Sequence, residues 1–404
     1  MKTHISIVLM ALSFAASAQD SSAVKSKSGL GNGLRFELDS GKYQFTISGV
    51  LQPTFGYSKK EGTKVENTFA SKRTYLSFGG SALEEKVSFF VLANFSASTP
   101  LLDAWAGYKF HPRWLFSVGQ RRTFTNNREM TFDEDKLQFT DRGFLSTSFN
   151  GNGREFGAFL EGSFGNSFII APQFALTSGD GPNSFGVNAL DVDYGGIKYG
   201  ARVDIHPLGA FVEGNRGFAA DLQHETKPKV LLGLAGSTNN GASNAIGEGH
   251  GSFITYDSSR ALKLPNLHKV SADILVKYKG FSLLAEFMNT AGSNLSGIYL
   301  DSTKTASILR PGQISNYLVL GTALNVQLGY VTKTGYALDI RYENLQPEFE
   351  KQSKSLLQKA NARTVGLTKY FNDNRLKLQA SVSDVRYTTG KDQLLAELLF
   401  QVVL

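Results

Sequence analysis

A two-residue alternation of apolar and polar side chains constrains this chain more than any other feature, because it recurs along most of the sequence. Successive side chains of a β-strand point to opposite faces, so each alternating segment predicts a strand with one apolar face. Segments of about ten residues are typical of strands that cross a membrane in a barrel. In the clearest segment the apolar face consists of Tyr336, Leu338, Ile340 and Tyr342, and the polar face of Ala337, Asp339, Arg341 and Glu343.

Soluble β-sandwiches show the same alternation, so the class of protein depends on what accompanies the apolar faces. Here tyrosine and tryptophan lie near the ends of those faces, as at Tyr330 and Trp114, where the membrane surfaces would lie. The polar faces carry charges and small residues, which a water-filled interior accommodates. The chain ends in an amphipathic strand, as outer-membrane proteins do, although Leu404 stands where they usually have phenylalanine. These features favour an all-β, transmembrane antiparallel β-barrel over a secreted sandwich or solenoid.

The alternating segments predict about sixteen strands, an even number, as a barrel with both chain ends on one side requires. Short turns then fall at one end of the barrel. The long segments 122–153, 178–193, 238–268, 291–314 and 346–360 fall at the other, and 206–228 is the exception. The predicted strands are 42–57, 68–79, 85–95, 101–110, 113–121, 154–164, 167–177, 194–205, 229–237, 269–279, 281–290, 315–331, 335–345, 361–371, 375–387 and 393–404.

The N-terminal residues have the pattern of a secretory signal peptide, in which Lys2 and His4 precede an apolar run that ends in Ala16-Ser17-Ala18. We predict a signal peptide at 1–18, a periplasmic N-terminal segment at 19–41 that is flexible at 21–28, and a barrel at 42–404. The predicted location is the outer membrane of a Gram-negative bacterium. No later stretch approaches the ~18 uninterrupted apolar residues of a membrane helix. An exported chain without cysteine has to hold its fold by pairing and packing alone.

The longest break in the alternation, 122–153, predicts a loop that carries cations and folds into the barrel. Arg121 and Arg122 stand at its start and Arg142 within it. Guanidinium groups stay charged and offer paired donors to oxyanions, and the net charge of +7 would also draw anions. We therefore predict a constriction that favours anions. The alternative is an exposed loop whose arginines pair with nearby acids, namely Glu129, Asp133, Glu134, Asp135 and Asp141.

Several motifs occur in an order that resembles the phosphate-selective porin O and P family, from about Gly33 onward. The segment 71–78 (SKRTYLSF) resembles that family's arginine-rich strand F-R-R-A-R-L-G-F, and 102–108 (LDAWAGY) resembles its D-A-Y-V-G-Y strand. The segment 118–122 (VGQRR) resembles the V-G-Q-F-K that opens the family's third loop, and 141–143 (DRG) resembles its E-R-S. The motifs are spread across nearly the whole mature chain, which makes their order more specific than any one of them.

The resemblance implies a homotrimer of sixteen-stranded barrels, in each of which the third loop folds inward and narrows the pore. It implies a ladder arginine at Arg73 and a constriction carboxylate at Asp103. It also implies that Arg122 and Arg142 are cations of the constriction. For Asp103 the alternative is a simple ion pair with a cation of a neighbouring strand.

Two positions depart from the family's pattern. Tyr75 stands where an arginine is expected on the Arg73 face, which weakens the implication of phosphate selectivity more than that of the fold. Lys72 matches the first arginine of the motif, but strict alternation points it away from Arg73. We therefore do not expect Lys72 to act in the lumen with Arg73.

Together these observations predict an outer-membrane porin, not an enzyme, through which small hydrophilic solutes diffuse passively with a bias towards anions such as phosphate or polyphosphate. The predicted partners are those anions, outer-membrane lipid and further copies of the chain in a trimer. No cofactor, metal or nucleic acid is predicted, because the sequence carries no nucleophile, metal or nucleotide motif. A general, non-selective porin on the same scaffold and an adhesin or receptor barrel remain as alternatives.

Overall fold

The structure, a computed structural model, describes residues 25–151, 153–178, 195–246, 253–301, 308–350 and 354–404. The predicted signal peptide 1–18 and nearly all of the predicted long segment 178–193 lie outside the described residues. Most of the described part is β-strand. None of its helices is long and apolar enough to cross a membrane.

Eighteen strands form one continuous sheet in the described part of the chain. They are β1 (Lys25–Gly29), β2 (Gly33–Leu38), β3 (Tyr43–Lys60), β4 (Glu66–Ala82), β5 (Val87–Asn94), β6 (Leu101–His111), β7 (Trp114–Arg122), β8 (Arg154–Gly162), β9 (Ile169–Thr177), β10 (Lys198–His206), β11 (Lys229–Asn239), β12 (Asn266–Tyr278), β13 (Phe281–Ser293), β14 (Gly321–Val331), β15 (Tyr336–Pro347), β16 (Ala360–Asn372), β17 (Leu376–Tyr387) and β18 (Gln393–Val403). The helices are α1 (Arg128–Thr131) and α2 (Phe144–Asn150), with 3-10 turns at Asp39–Gly41, Glu134–Lys136, Glu213–Asn215 and Pro311–Asn316.

The strands β3 to β18 form a closed antiparallel barrel of sixteen strands. Each strand pairs with its neighbours in sequence, and β18 closes the ring by pairing with β3. The strands β1 and β2 extend the sheet beyond the ring, because β2 pairs with the first residues of β3. The predicted fold class and the predicted strand number are therefore confirmed.

Two predictions are wrong, one about the N-terminal segment and one about where a strand begins. The described part of 21–28 is not a flexible lead, because Lys25–Gly29 pairs its backbone with β2 over its whole length. The predicted strand 315–331 begins only at Gly321. The 3-10 turn Pro311–Asn316 precedes it, and Leu318 and Leu320 are buried in a cluster among the loops instead of lying on the outer face of a strand.

The two faces of the barrel wall differ as the alternation predicts. On β15, Leu338 is 53% exposed on the outside, whereas the adjacent Asp339 is 1% exposed on the inside. The rings of Phe281 and Tyr330 pack together with centroids 4.4 Å apart on neighbouring strands. The outer surface is therefore an apolar band suited to lipid, and polar side chains project into the interior.

Short connections lie at one end of the barrel, which we call the short-turn end, and long connections lie at the other, the long-loop end. The turn between β12 and β13 consists only of Lys279 and Gly280, whose φ angles are 49° and 88°. Positive φ at both central residues is what a type I′ two-residue hairpin turn requires, and glycine adopts it without steric cost. The connection 207–228 is again the exception, since it is long and lies at the short-turn end.

Candidate functional site

The connection between β7 and β8, residues 123–153, folds into the barrel interior; we call it the inner loop. Residue 152 is the one position within it that is not described. The side chains of Leu145 and Phe149 in α2 are fully buried and pack against Met288, which points inward from β13. Buried polar groups of such a loop need partners, and charged side chains of the barrel wall supply them.

Arg128 of α1 binds the inner loop to the β10 and β12 side of the wall. Its Nη1 donates to Asp204 Oδ2 at 2.9 Å, and its Nε donates to Asp273 Oδ1 at 2.8 Å. Arg202 of β10 also contacts both carboxylates. Two guanidinium groups therefore balance two carboxylates in a buried group that fixes the position of α1.

Glu129, the next residue, binds the inner loop to β15. Its Oε1 accepts a hydrogen bond from Arg341 Nη1 at 2.9 Å, and its Oε2 accepts one from the backbone N–H of Gly143 at 2.8 Å. Glu343, also on β15, accepts from the backbone N–H of Leu145 at 2.9 Å. The wall thus supplies an acceptor for a free backbone N–H group in the first turn of α2 and a positive charge for the Glu129 carboxylate.

Three arginines converge on the Glu134 carboxylate within the inner loop. The distances from its oxygens are 2.6 Å to Arg122 Nη2, 2.9 Å to Arg142 Nη2 and 3.2 Å to Arg154 Nη1. Arg154 Nε also lies 3.1 Å from Asp103 Oδ2. Burial raises the pKa of Glu134, but the three guanidinium groups outweigh it and hold that pKa well below its usual range. We call these five residues the Glu134 cluster.

A second charged group joins the edge of the inner loop to the wall at β4 and β18; we call it the Asp141 seam. Asp141 lies 2.9 Å from Arg73 Nη2 and 2.8 Å from Lys72 Nζ, and Lys72 Nζ lies 2.7 Å from Glu397 Oε2. The side chain of Asp141 is 49% exposed, unlike the buried carboxylates described above. Desolvation raises the pKa of Asp141, but the positive charges of Arg73 and Lys72 lower it by more, so the pKa lies below its ordinary value.

The expectation that Lys72 points away from Arg73 is wrong, because both side chains bind Asp141. Gln52 of β3 pairs with Arg73, but the next residue, Pro53, pairs with Ser71, so Lys72 is an extra residue in β4. Such a β-bulge breaks the two-residue alternation, and proline, which has no N–H to donate, is common where pairing is interrupted. Lys72 and Arg73 therefore both reach Asp141.

The structure brings together most of the residues predicted from the sequence. Asp103, Arg122 and Arg142 belong to the Glu134 cluster, and Arg73 belongs to the Asp141 seam. Arg121 lies apart from both, because its Nη1 bonds to Glu161 Oε1 at 3.0 Å. Its guanidinium group also lies over the rings of three aromatic residues, Trp105, Phe124 and Phe159.

Sequence reasoning missed the residues that bind the inner loop to the wall. Arg128 was not singled out, and Glu134 was named only as one acid of several. For Asp204 and Asp273 the signal was present, since they occupy polar positions in alternating segments. Their partner could not be identified because it lies 76 and 145 residues away in the sequence.

An internal cavity of about 330 Å³ lies between the inner loop and the wall formed by β3, β4 and β16–β18, and Arg341 of β15 also lines it. Its lining combines hydroxyl groups, both signs of charge and the ring of Phe139. Within the described ranges, no group of three histidine, aspartate or glutamate side chains could hold a metal ion. The hydroxyl and charged lining residues are Tyr57, Ser58, Glu66, Thr68, Thr140, Asp141, Arg142, Thr147, Arg341, Thr364, Ser381, Ser383 and Glu397.

No family model and no curated protein matches this sequence. Solved structures match it in fold. A loop L8 deletion mutant of OmpT, an outer membrane protein of Vibrio cholerae, has a TM-score of 0.52 and 10% identity, covering 89% of this chain and 99% of that one. The trimer form of in-vitro folded OmpT from Vibrio cholerae has a TM-score of 0.51 and 10% identity, covering 88% and 99%. OccK8 (OprE) of Pseudomonas aeruginosa has a TM-score of 0.42 and 12% identity, covering 89% and 98%.

At these identities the likeness to OmpT concerns the fold alone. The resemblance to the phosphate-selective porins, carried by short motifs, stays a prediction. What the barrel closure and the OmpT match establish together is that this chain has the β-barrel fold of Gram-negative outer-membrane proteins.

Proposed function

We propose that this protein is an outer-membrane porin through which small hydrophilic solutes diffuse passively. The observation that supports the proposal is the polar cavity beside the inner loop, inside a closed barrel whose outer face is apolar. A closed ring satisfies all strand hydrogen bonds in lipid, and a polar interior keeps water within it. We also propose that three copies assemble side by side in the membrane.

A bias towards anions such as phosphate or polyphosphate is the finer part of the proposal. Its support is the concentration of guanidinium groups around the inner loop, namely Arg73, Arg122, Arg142 and Arg154. Each of these has a carboxylate partner within 3.2 Å. This pairing reduces the net positive charge that a passing ion meets, so it favours a general porin as the second candidate function.

Planar-bilayer recording of the purified mature protein tests both parts. We expect stepwise conductance and a zero-current potential of the sign that anion preference gives across a KCl gradient. We also expect that Arg73→Gln shifts this potential towards cations and that millimolar phosphate reduces the chloride current. Arg386→Gln is the matched control, because Arg386 pairs with Asp384 and Asp392 on the exposed surface.

The outcomes of the recording distinguish the candidate functions from one another. Conductance without ion preference and without phosphate block would retain the porin and remove the anion bias. A correctly folded barrel that never conducts would contradict the porin and favour an adhesin or receptor. Correct folding is checked independently by gel electrophoresis in a denaturing detergent, where a folded barrel that has not been heated stays folded and migrates differently from the heated, unfolded chain.

A further inference from the structure

Residues 207–228, which connect β10 and β11, fill the interior at the short-turn end; we call them the plug segment. Phe211 of this segment is buried in a cluster with Phe132 and Leu137 of the inner loop. The same cluster includes Leu231 and Leu275, which project inward from β11 and β12. The plug segment and the inner loop therefore share one apolar core inside the barrel.

Hydrogen bonds also fasten the plug segment to the wall. Lys277 of β12 is fully buried, and its Nζ donates to the backbone carbonyl oxygens of Asn215 at 2.8 Å and Phe218 at 2.7 Å. Asp221, also fully buried, accepts from the backbone N–H of Gly280 at 2.8 Å. An exposed, loosely attached turn would not bury a lysine and an aspartate at such cost.

The plug segment extends across the barrel from β11 towards β16. Ala220 packs with Val331 and Ala337 at the turn between β14 and β15, and with Tyr370 of β16. At the opposite end, connections between strands cover the same side, since Ile298 and Leu318 lie in a buried cluster with Leu267 of β12. The interior along β11–β15 is therefore occupied at both ends of the barrel.

Between these two ends the inner loop completes the filling. Its helix α2 packs on β13, β14 and β15, and the ion pairs of Arg128 lie beside β10 and β12. Several inward positions there are apolar, such as Leu284 and Met288, which are fully buried. A water-filled channel would leave such side chains wet at a cost of about 1.5–3 kcal/mol each. We call the interior along β10–β15 the filled half.

Solvent reaches the interior on the other side. The cavity of about 330 Å³ lies in the long-loop part of β3, β4 and β16–β18. Nearer the short-turn end of the same wall, Gln52 and Lys377 are buried against the inner loop. The Asp141 side chain on its border is 49% exposed, whereas that of Asp273 in the filled half is 1% exposed. Both carboxylates pair with arginine, so their difference in exposure reports where water penetrates the barrel.

From this contrast we infer that the plug segment and the inner loop seal the filled half, and that solutes enter from the long-loop end between the inner loop and the β3, β4 and β16–β18 wall, past the Asp141 seam. The inference rests on the proposed porin function and assigns its route. It makes Lys72, Asp141 and Glu397 the charged groups that a solute meets, and it makes residues 207–228 a structural closure instead of a periplasmic loop.

Single cysteines test the route, because the natural chain has none. Ser383→Cys places a thiol on the cavity wall of β17. Ser282→Cys is the matched variant on β13. The Ser282 side chain is buried, and Ser282 is the residue that pairs with Lys277 of β12. A methanethiosulfonate reagent that carries a trimethylammonium group is added on both sides of a bilayer that contains the conducting protein, and labelling is also measured by mass.

We expect the reagent to label Ser383→Cys and to remove much of its single-channel current, while Ser282→Cys is unlabelled and conducts normally. Labelling of Ser282→Cys, or failure of labelling at Ser383→Cys to change the current, would overturn the inference. Both outcomes differ from failure of the porin proposal, which would appear as absence of conductance in the unsubstituted protein. The cysteine-free protein controls for effects of the reagent itself.

Discussion

Replacing Glu134 by glutamine removes one negative charge from the point where Arg122, Arg142 and Arg154 meet. The side chain of Glu134 is 8% exposed, and removing one partner of a buried ion pair costs about 3–5 kcal/mol. The strand ladders keep their hydrogen bonds, so this cost falls on the position of the inner loop and not on the barrel. We therefore expect Glu134→Gln to loosen the inner loop within an intact barrel.

The effect on ion selectivity should be much smaller. A unit charge about 8 Å from an ion in water contributes roughly 0.5 kcal/mol, and salt at about 0.1 M screens that by about half. Because an anion and a cation are affected in opposite directions, the anion-to-cation permeability ratio should rise about two-fold. Zero-current potentials measure this ratio.

Asp133→Asn is the matched control, since it removes the same charge from the adjacent residue. The Asp133 side chain is 50% exposed and pairs with Lys136 at 2.7 Å, and exposed pairs contribute only about 0–1 kcal/mol. Limited proteolysis should therefore cut the inner loop in Glu134→Gln and spare it in Asp133→Asn. Equal protection of Glu134→Gln and the unsubstituted protein would refute the role of Glu134, and equal cutting of both variants would refute the role of burial.

Three further predictions address other parts of the molecule. Lys277→Met leaves two buried carbonyl groups of 207–228 without their donor, at about 1–3 kcal/mol each, so proteolysis should cut this segment and the conductance should increase. Ile340→Arg places a charge on the outer face of β15, at a cost of about 2–4 kcal/mol near the membrane centre; the midpoint of urea unfolding in lipid vesicles should fall, and an unchanged midpoint would contradict a lipid-facing position. For Asp141, a pKa held below its ordinary value means that the stabilisation from its ion pairs is present above the unfolded value and is lost only as the pH falls through the lower folded value. The difference in zero-current potential between Asp141→Asn and the unsubstituted protein should therefore persist from neutral pH to about pH 4, and its disappearance near pH 5 would contradict the pairing.

The barrel wall could be predicted from the sequence because its physics is local. Side chains two residues apart share a face, so the alternation around Leu338 and Asp339 predicted both the strand and which of its faces points outward. The number of alternating segments predicted the strand number, and the parity of short and long connections supported it. Most strand boundaries differ from the predicted ones by a few residues. The largest difference, at the start of β14, lies where another local structure intervenes, the 3-10 turn Pro311–Asn316.

The interior could be predicted only in outline, because its physics is not local. The break in alternation and the family resemblance placed the inner loop inside, yet the partner of Arg128 on β12 is 145 residues distant. The direction of the Lys72 side chain was predicted wrongly because the bulge depends on how β4 pairs with β3. The sequence of β4 alone does not indicate that bulge. The length of 206–228 was noticed as an exception, but only its packing against Leu275 explains it.

Closure of the ring has a consequence for the order of folding. The pairing of β3 with β18 joins the two ends of the chain, and the Ser48 hydroxyl bonds to the carbonyl oxygen of Leu404, 356 residues away. Contacts of such sequence separation form slowly, and a ring that lacks one strand exposes two unpaired edges, which lipid does not accommodate. The inner loop draws partners from strands as late as β17, through Ser381. Its enclosure is therefore complete only once nearly the entire chain has been assembled, so insertion, closure and the packing of the interior are expected to proceed as one cooperative event.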